Sequence, residues 1–274
     1  MLPPKTALFW FQLMLCSATC YELALGVYRV GAYSPILKVL FLVALLSLLL
    51  TFFQATNRIS SYMIFAVYLT LLIRGFPISA NHLYLFAISS FLLILLRSTS
   101  SDEVESFLRL QVSLTAAVLF WSGLQKCLYG YYFNGMFFTY AITHSRRFEQ
   151  LFSVMLGSET VKQIQEGVKT SGTYYSENLL IIAISNMVWA AEMLLPLCLF
   201  YPPFRKASAL LLIGFIACIE LGAREFTFGM YMLASLLLPF SERLQCYFAC
   251  FCIFVFFMTL VGLQVAPQFF LSFH

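Results

Sequence analysis

The stretch NLLIIAISNMVWAAEMLLPLCLFY, Asn178 to Tyr201, carries a single charged residue, Glu192, in an apolar run longer than the roughly 20 residues that cross a hydrocarbon layer. Its few polar groups are not scattered. At about 100° per residue, Asn178, Ser185, Trp189, Glu192 and Pro196 share a narrow arc of one helix, so the run reads as a membrane helix with one polar face.

Similar runs repeat along the chain, at about Ala7 to Val30, Pro35 to Phe53, Ile59 to Ile73, Asn81 to Leu96, Leu108 to Leu128, Ala207 to Leu221, Phe226 to Phe240 and Leu244 to Val265. With Asn178 to Tyr201 they predict an all-α membrane protein, a multi-pass helical bundle of about nine transmembrane helices. The whole composition agrees: 61% of the 274 residues are hydrophobic and 10% charged, where soluble chains carry roughly 25% charge. Nine helices of about 20 residues use some 180 residues. About 94 are left, too few for a large soluble domain beside the loops, so residues 1–274 read as one transmembrane domain.

The exception to the apolar pattern is 129–177, which begins aromatic (Tyr129, Tyr131, Tyr132, Phe133, Phe137, Phe138, Tyr140) and then turns polar. In Arg146 to Lys169, Phe148, Leu151, Phe152 and Met155 recur at helical spacing among charges. This predicts interfacial amphipathic helices between helices five and six.

Lys and Arg counted on alternating sides give Lys5, Arg58, Arg97, Arg109, Arg205, Lys206 and Arg243 on the amino-terminal side, against Lys38, Arg74 and Arg224 opposite. The positive-inside rule then places the N-terminus in the cytoplasm. The net charge of +4 is spread singly over loop ends, which suits orientation in a lipid bilayer and not nucleic acid. Asp102 is the one aspartate, so aspartate dyads and Asp-rich metal cages have no material here. The eight cysteines fall mostly inside apolar runs, where they read as small hydrophobes and not as a disulfide or metal framework.

A charge inside a membrane helix costs about 2.5–3.5 kcal/mol on insertion scales, so such residues are where function is sought. On helix five Gln111, Thr115, Ser122 and Lys126 share an arc of roughly 60°. On helix one Glu22 and Arg29 share a face, on helix seven Glu220 and Arg224 stand four apart in acid-first order, and helix four opens with Asn81 and His82. In the nine-helix topology Asn81, His82, Lys126, Asn178, Glu220 and Arg224 all fall at the non-cytoplasmic side, where they are expected to line one cavity. Plainer readings exist for each: Lys126 snorkelling to the interface, His82 satisfied at a helix start, Glu220 with Arg224 as a structural ion pair, and Glu192 paired across the bundle with Arg29 or Glu22.

Three stretches carry a resemblance. Ser79-Ala-Asn-His-Leu-Tyr-Leu85 is similar to an Asn-His-x-Tyr-Leu helix opening. Phe120-Trp-Ser-Gly-Leu-Gln-Lys126, running on to Asn134-Gly135, is similar to an Ala-Gly-x-x-Lys segment followed by aromatics and a glycine. Phe226-Thr-Phe-Gly-Met-Tyr-Met-Leu-Ala-Ser235 is similar to a Phe-x-x-Gly-Met segment. In this order, over about residues 79 to 240, the chain resembles the membrane domain of the vitamin K-dependent gamma-carboxylases, the horizontally transferred transmembrane domain family.

The resemblance implies a quinone cofactor, vitamin K hydroquinone or another quinone, and no metal. It assigns Lys126 as the base and His82 as a second catalytic group, with Asn81, His82, Trp121, Glu220 and Arg224 about the quinone, in oxygen-dependent epoxidation coupled to modification of a peptide. A lysine desolvated within a bundle suits that role. The chain departs from the family in three places. Ile219 and Glu220 stand where the family has a histidine, Tyr131, Tyr132 or Phe133 replaces an expected tryptophan, and the large peptide-binding domain is missing. A non-enzymatic membrane subunit, assisting a membrane-protein partner or the maturation of a peptide toxin, is therefore the alternative. A transporter is a third reading, for which the sequence offers no inverted repeat.

Overall fold

A computed structural model describes residues 4–30, 34–53, 57–75, 81–96, 100–223, 226–240 and 242–265. Among them are twelve α-helices and no strand: α1 (Pro4–Val30), α2 (Pro35–Thr51), α3 (Asn57–Gly75), α4 (Asn81–Leu95), α5 (Ser101–Tyr129), α6 (Met136–His144), α7 (Arg146–Leu156), α8 (Ser158–Ser171), α9 (Leu179–Cys198), α10 (Arg205–Ala223), α11 (Phe226–Leu237) and α12 (Glu242–Val265). Each of the nine apolar runs is a helix, and the segment between the fifth and sixth runs supplies the other three.

Among the described residues, three stretches are long and apolar enough to cross a membrane: Thr6–Tyr28, Asp102–Tyr129 and Leu179–Cys198. Pro35–Thr51, His82–Leu95, Thr227–Leu237 and Arg243–Met258 are apolar but shorter. Helix α5 starts well before the expected Leu108. Asp102 and Glu103 occupy its first turn, where carboxylates meet the positive end of the helix dipole, and the Glu103 amide donates to Ser100 Oγ.

The helices fall into two compact units, Met1–Val112 with Glu225–His274, and Ser113–Arg224. In the first, α1 is packed by α2, α3, α11 and α12 and is buried almost throughout from Ala7 to Leu25. A helix apolar on all sides is one surrounded by others. Its few polar groups are spent on its neighbours. Cys16 Sγ lies 3.5–3.7 Å from the hydroxyls of Thr51, Ser47 and Ser60, Gln12 donates to Ser61 at 3.2 Å, and Thr19 bonds the Tyr68 hydroxyl at 2.8 Å. Such hydrogen bonds hold apolar helices together when lipid supplies no hydrophobic drive between them, at about 0.6 kcal/mol each on average. A second polar knot joins α4, α5 and α11: Ser89 and Tyr231 both donate to Gln111 Oε1, at 2.9 and 3.1 Å, with all three side chains buried.

In the second unit Tyr132, Phe138, Ile142, Phe152, Val161 and Ile181 form the core, with Phe148, Leu156, Ile164, Val188 and Trp189 against it. Helices α6, α7 and α8 pack on one another, and α9 packs against α6 and α10. The expected amphipathic segment Arg146 to Lys169 is two helices, because Gly157 at φ +86° breaks it. Outward faces are greasy in both units. Leu42 and Leu49 of α2, Met187 and Leu194 of α9, and Phe254 and Phe257 of α12 are more than half exposed, a pattern that soluble surfaces avoid.

Candidate functional site

Lys126 lies in the last turn of α5. The face it shares with Ser122 is turned toward α9, and what allows that is Gly123. A Cβ at this position would stand 2.9 Å from the Trp189 carbonyl oxygen and 2.9 Å from Glu192 Cβ, with Met193 Cγ at 2.8 Å. The two helices therefore touch backbone to backbone where a side chain would hold them apart.

At that contact Lys126 Nζ donates to Glu192 Oε2 at 2.5 Å and to Ser122 Oγ at 2.7 Å. The Glu192 side chain is 5% exposed and that of Lys126 19%. Removing both charges from water is expensive, and the ammonium–carboxylate contact with its added hydroxyl offsets that cost. Glu192, whose sequence candidates for a partner were Arg29 and Glu22, belongs to Lys126. The lysine is not snorkelling at a helix end.

The aromatic segment closes over the pair. Gly130 and Gly135 adopt φ +71° and +67° and turn the chain so that Tyr132 faces inward, its ring centroid 5.5 Å from Lys126 Nζ, a cation–π distance. Of the three residues standing where a tryptophan is expected, Tyr132 is thus the one that meets the lysine. Its phenol is held well above the usual range by burial, with the Glu192 carboxylate adding to the effect, so it stays protonated. Phe133 stacks edge-on against Trp189 at 5.5 Å, whose Nε1 donates to Asn186, which in turn donates to the Phe133 carbonyl. Asn178 caps α9, its side chain accepting from Leu180 N and Ile181 N.

The remaining predicted residues are distributed differently. His82 lies in the first unit, where Nε2 is 3.7 Å from Glu22 Oε1. Asn81 opens the same helix, α4. Trp121 is 57% exposed and turned outward on α5. Glu220 is half-buried on α10, and Arg224, its expected partner, lies outside the described residues, as does the side chain of Arg29. The sequence singled out Lys126 and His82, and the structure gives each a carboxylate of its own that the sequence did not assign to it.

A cavity in the first unit, lined by Phe11, Met14, Phe86, Met230, Tyr231 and Ala234, has about 10 Å³ of space, roughly one water and far short of a naphthoquinone. Around Lys126 the structure offers a paired proton donor and acceptor, the lysine partly exposed, beside the Tyr132 ring. No cluster of three His, Cys, Asp or Glu side chains able to hold a metal occurs among the described residues.

Comparison with protein-family models, with curated proteins and with solved structures finds no match to this chain.

Proposed function

We propose that this chain is a nine-span membrane protein with a cytoplasmic N-terminus, and that the Lys126–Glu192 pair is the acid–base centre for a hydroquinone-type substrate reached from the bilayer. The observation that carries this is the pair itself, an ammonium and a carboxylate 2.5 Å apart and mostly buried, in a chain with so few charges to spend. The resemblance over residues 79–240 supports it, and the exposed apolar faces of both units support the bilayer.

A hydroquinone, when bound, supplies a phenolic O–H and a ring that oxygen can oxidise. The protein's part is the proton. As an ammonium Lys126 has no lone pair, so it acts as a base only after passing a proton to Glu192 Oε2, which already accepts from it. Nζ is then free to take the phenolic proton, leaving Lys126 charged and Glu192 protonated, and the pair resets by releasing one proton to water. Ser122 holds Nζ in place through the exchange, and the Tyr132 ring stabilises the cation at its end. Coupling to modification of a peptide belongs to the same reading, with the peptide presented by a partner.

The test is turnover of a reduced naphthoquinone with oxygen by the full chain in lipid nanodiscs, followed as epoxide formed. Wild type is expected to be active and Lys126→Ala inactive. Full activity in Lys126→Ala removes the assigned role.

One feature favours the non-enzymatic reading, in which the protein serves as an accessory subunit. Nζ is already engaged by two partners and could act as a clamp between α5 and α9. That reading takes over if purified wild type turns over no quinol while Lys126→Ala fails to assemble with a co-purifying partner.

A further inference from the structure

The turn from α11 into α12 gathers three backbone carbonyls around one side chain. Gln245, in the first turn of α12 and fully buried, points its amide nitrogen at Leu237 O, Leu238 O and Phe240 O, at 3.4, 3.3 and 3.4 Å. These carbonyls close α11, where the last C=O groups of a helix lack intrahelical partners and carry the negative end of its dipole. Two N–H groups thus face three acceptors, all farther away than in an ordinary hydrogen bond. On the other side of the amide, Oε1 is buried with no hydrogen-bond partner among the described residues, so nothing on that side fixes which way round the amide stands.

A half-turn of the amide exchanges Oε1 with Nε2 and leaves its shape unchanged. The atom turned away from the carbonyls is without a partner in either orientation, so the carbonyls decide between them. With Oε1 turned in, four oxygens face one another, Oε1 standing 3.3–3.4 Å from each of the other three. With nothing between them they repel; with a cation among them they are its ligands, and their spacing selects the ion. A cation that takes oxygens at about 2.4 Å sets neighbouring ligands, at right angles, about 3.4 Å apart, whereas magnesium, at about 2.1 Å, needs them about 3.0 Å apart. Calcium shares the longer distance, but its two charges call for carboxylates, and these four oxygens are neutral. A monovalent ion of similar size fits, and helix C-termini with unwound carbonyls beside them are how membrane transporters hold sodium.

We propose that Leu237 O, Leu238 O, Phe240 O and Gln245 Oε1 form a sodium site. Without the ion, Nε2 caps α11; with it, Oε1 turns in. Water completes the shell beside Phe240, which is half-buried. The ion ties the end of α11 to the start of α12. Because α11 also packs on α1 and α4, and carries Tyr231 of the buried polar knot, sodium is expected to stabilise the first unit as a whole. The site makes no use of Lys126 or Glu192 and stands apart from the quinol reading.

The experiment is thermal unfolding of the full chain in lipid nanodiscs, titrated with sodium chloride against choline chloride at one ionic strength. Wild type should gain about 3–5 °C in Tm at ten times the dissociation constant, and potassium, whose contacts to oxygen are longer, should give less. Gln245→Leu, which offers no oxygen, should lose the response. Gln245→Glu cannot cap the carbonyls as an amide does, so it should unfold earlier in choline and respond to sodium at lower concentrations. The same Tm in sodium as in choline, a response to potassium as large as to sodium, or a full sodium response in folded Gln245→Leu overturns the proposal. If Gln245→Leu does not fold, ¹⁵N-glutamine labelling decides. The Gln245 side-chain signal, identified as the one lost in Gln245→Glu, should move when sodium is added to wild type, and a signal that stays in place removes the site.

Discussion

Gly123 and Glu192 meet at a distance that no other residue in place of the glycine would allow: a Cβ on Gly123 would stand 2.9 Å from Glu192 Cβ and equally close to the Trp189 carbonyl. The contact sets the register of α5 against α9, and that register puts Lys126 on Glu192. The ion pair and the helix packing thus both depend on one small residue a turn before the lysine.

Gly123→Ala is therefore expected to do more than an ordinary surface alanine. Met193 is flexible and can move, but the Trp189 carbonyl belongs to the α9 backbone and cannot. Overpacking of this kind costs about 1–3 kcal/mol, and the helices should part enough to lengthen the Lys126–Glu192 contact. Chemical unfolding in detergent micelles measures the first effect. An alanine variant as stable as wild type would mean the helices are not in contact there.

The pair itself separates by a double-mutant cycle. Lys126→Met or Glu192→Met alone strands one buried charge, at an expected cost of about 3–5 kcal/mol. The double variant, with two apolar chains of similar length, should recover most of that stability and none of the proton chemistry. If the two single losses simply add, the residues do not interact, and the proposed acid–base centre goes with them.

How much of this the residues disclose can be followed along α5 and α9. The apolar runs define nine helices because a backbone in an apolar setting must satisfy its own hydrogen bonds, and the arc of Gln111, Ser122 and Lys126 is visible because helical spacing is local. The partner of Lys126 is not. Lys126 is one turn from the end of α5, whereas Glu192 is more than three turns into α9, so counting from the helix ends puts them at different depths. Only the Gly123 contact, which is non-local, brings them level. Likewise Tyr131, Tyr132 and Phe133 are equivalent as a string; the turn geometry at Gly130 and Gly135 decides which ring faces inward. Glu22 and His82 are far apart in sequence, and nothing in spacing joins them.

Those two glycines should not respond alike to alanine. Both have positive φ, which costs a residue with a side chain roughly 1–2 kcal/mol. Gly130 has room, its nearest neighbour being Phe133 at 3.8 Å, but at Gly135 a Cβ would lie 3.0 Å from both Ile181 Cγ2 and Ser176 Cβ. Gly135→Ala is expected to be the more destabilising, and to disturb Tyr132 as well. Thermal unfolding of the two variants side by side measures the difference, and equal losses would show that the backbone angle alone matters.

The number of spans has an equally sharp test, because the nine-span proposal and a chain crossing only at α1, α5 and α9 put the same residues on opposite sides. With nine crossings, the α4–α5 connection shares the side of the N-terminus and α8 faces the other way. With three, α2 to α4 stay on the far side, so the α4–α5 connection is opposite the N-terminus and α8 returns to its side. Ser98→Cys and the exposed Ser171→Cys, each in a chain whose eight native cysteines are replaced by serine or alanine, report this through an impermeant maleimide on sealed vesicles carrying an N-terminal tag. Labelling of Ser98→Cys from the tag's side and of Ser171→Cys from the other is the expected result. The reverse pattern leaves three crossings and takes α2, α3 and α4 out of the bilayer, while α5 and α9, which carry Lys126 and Glu192, stay in it.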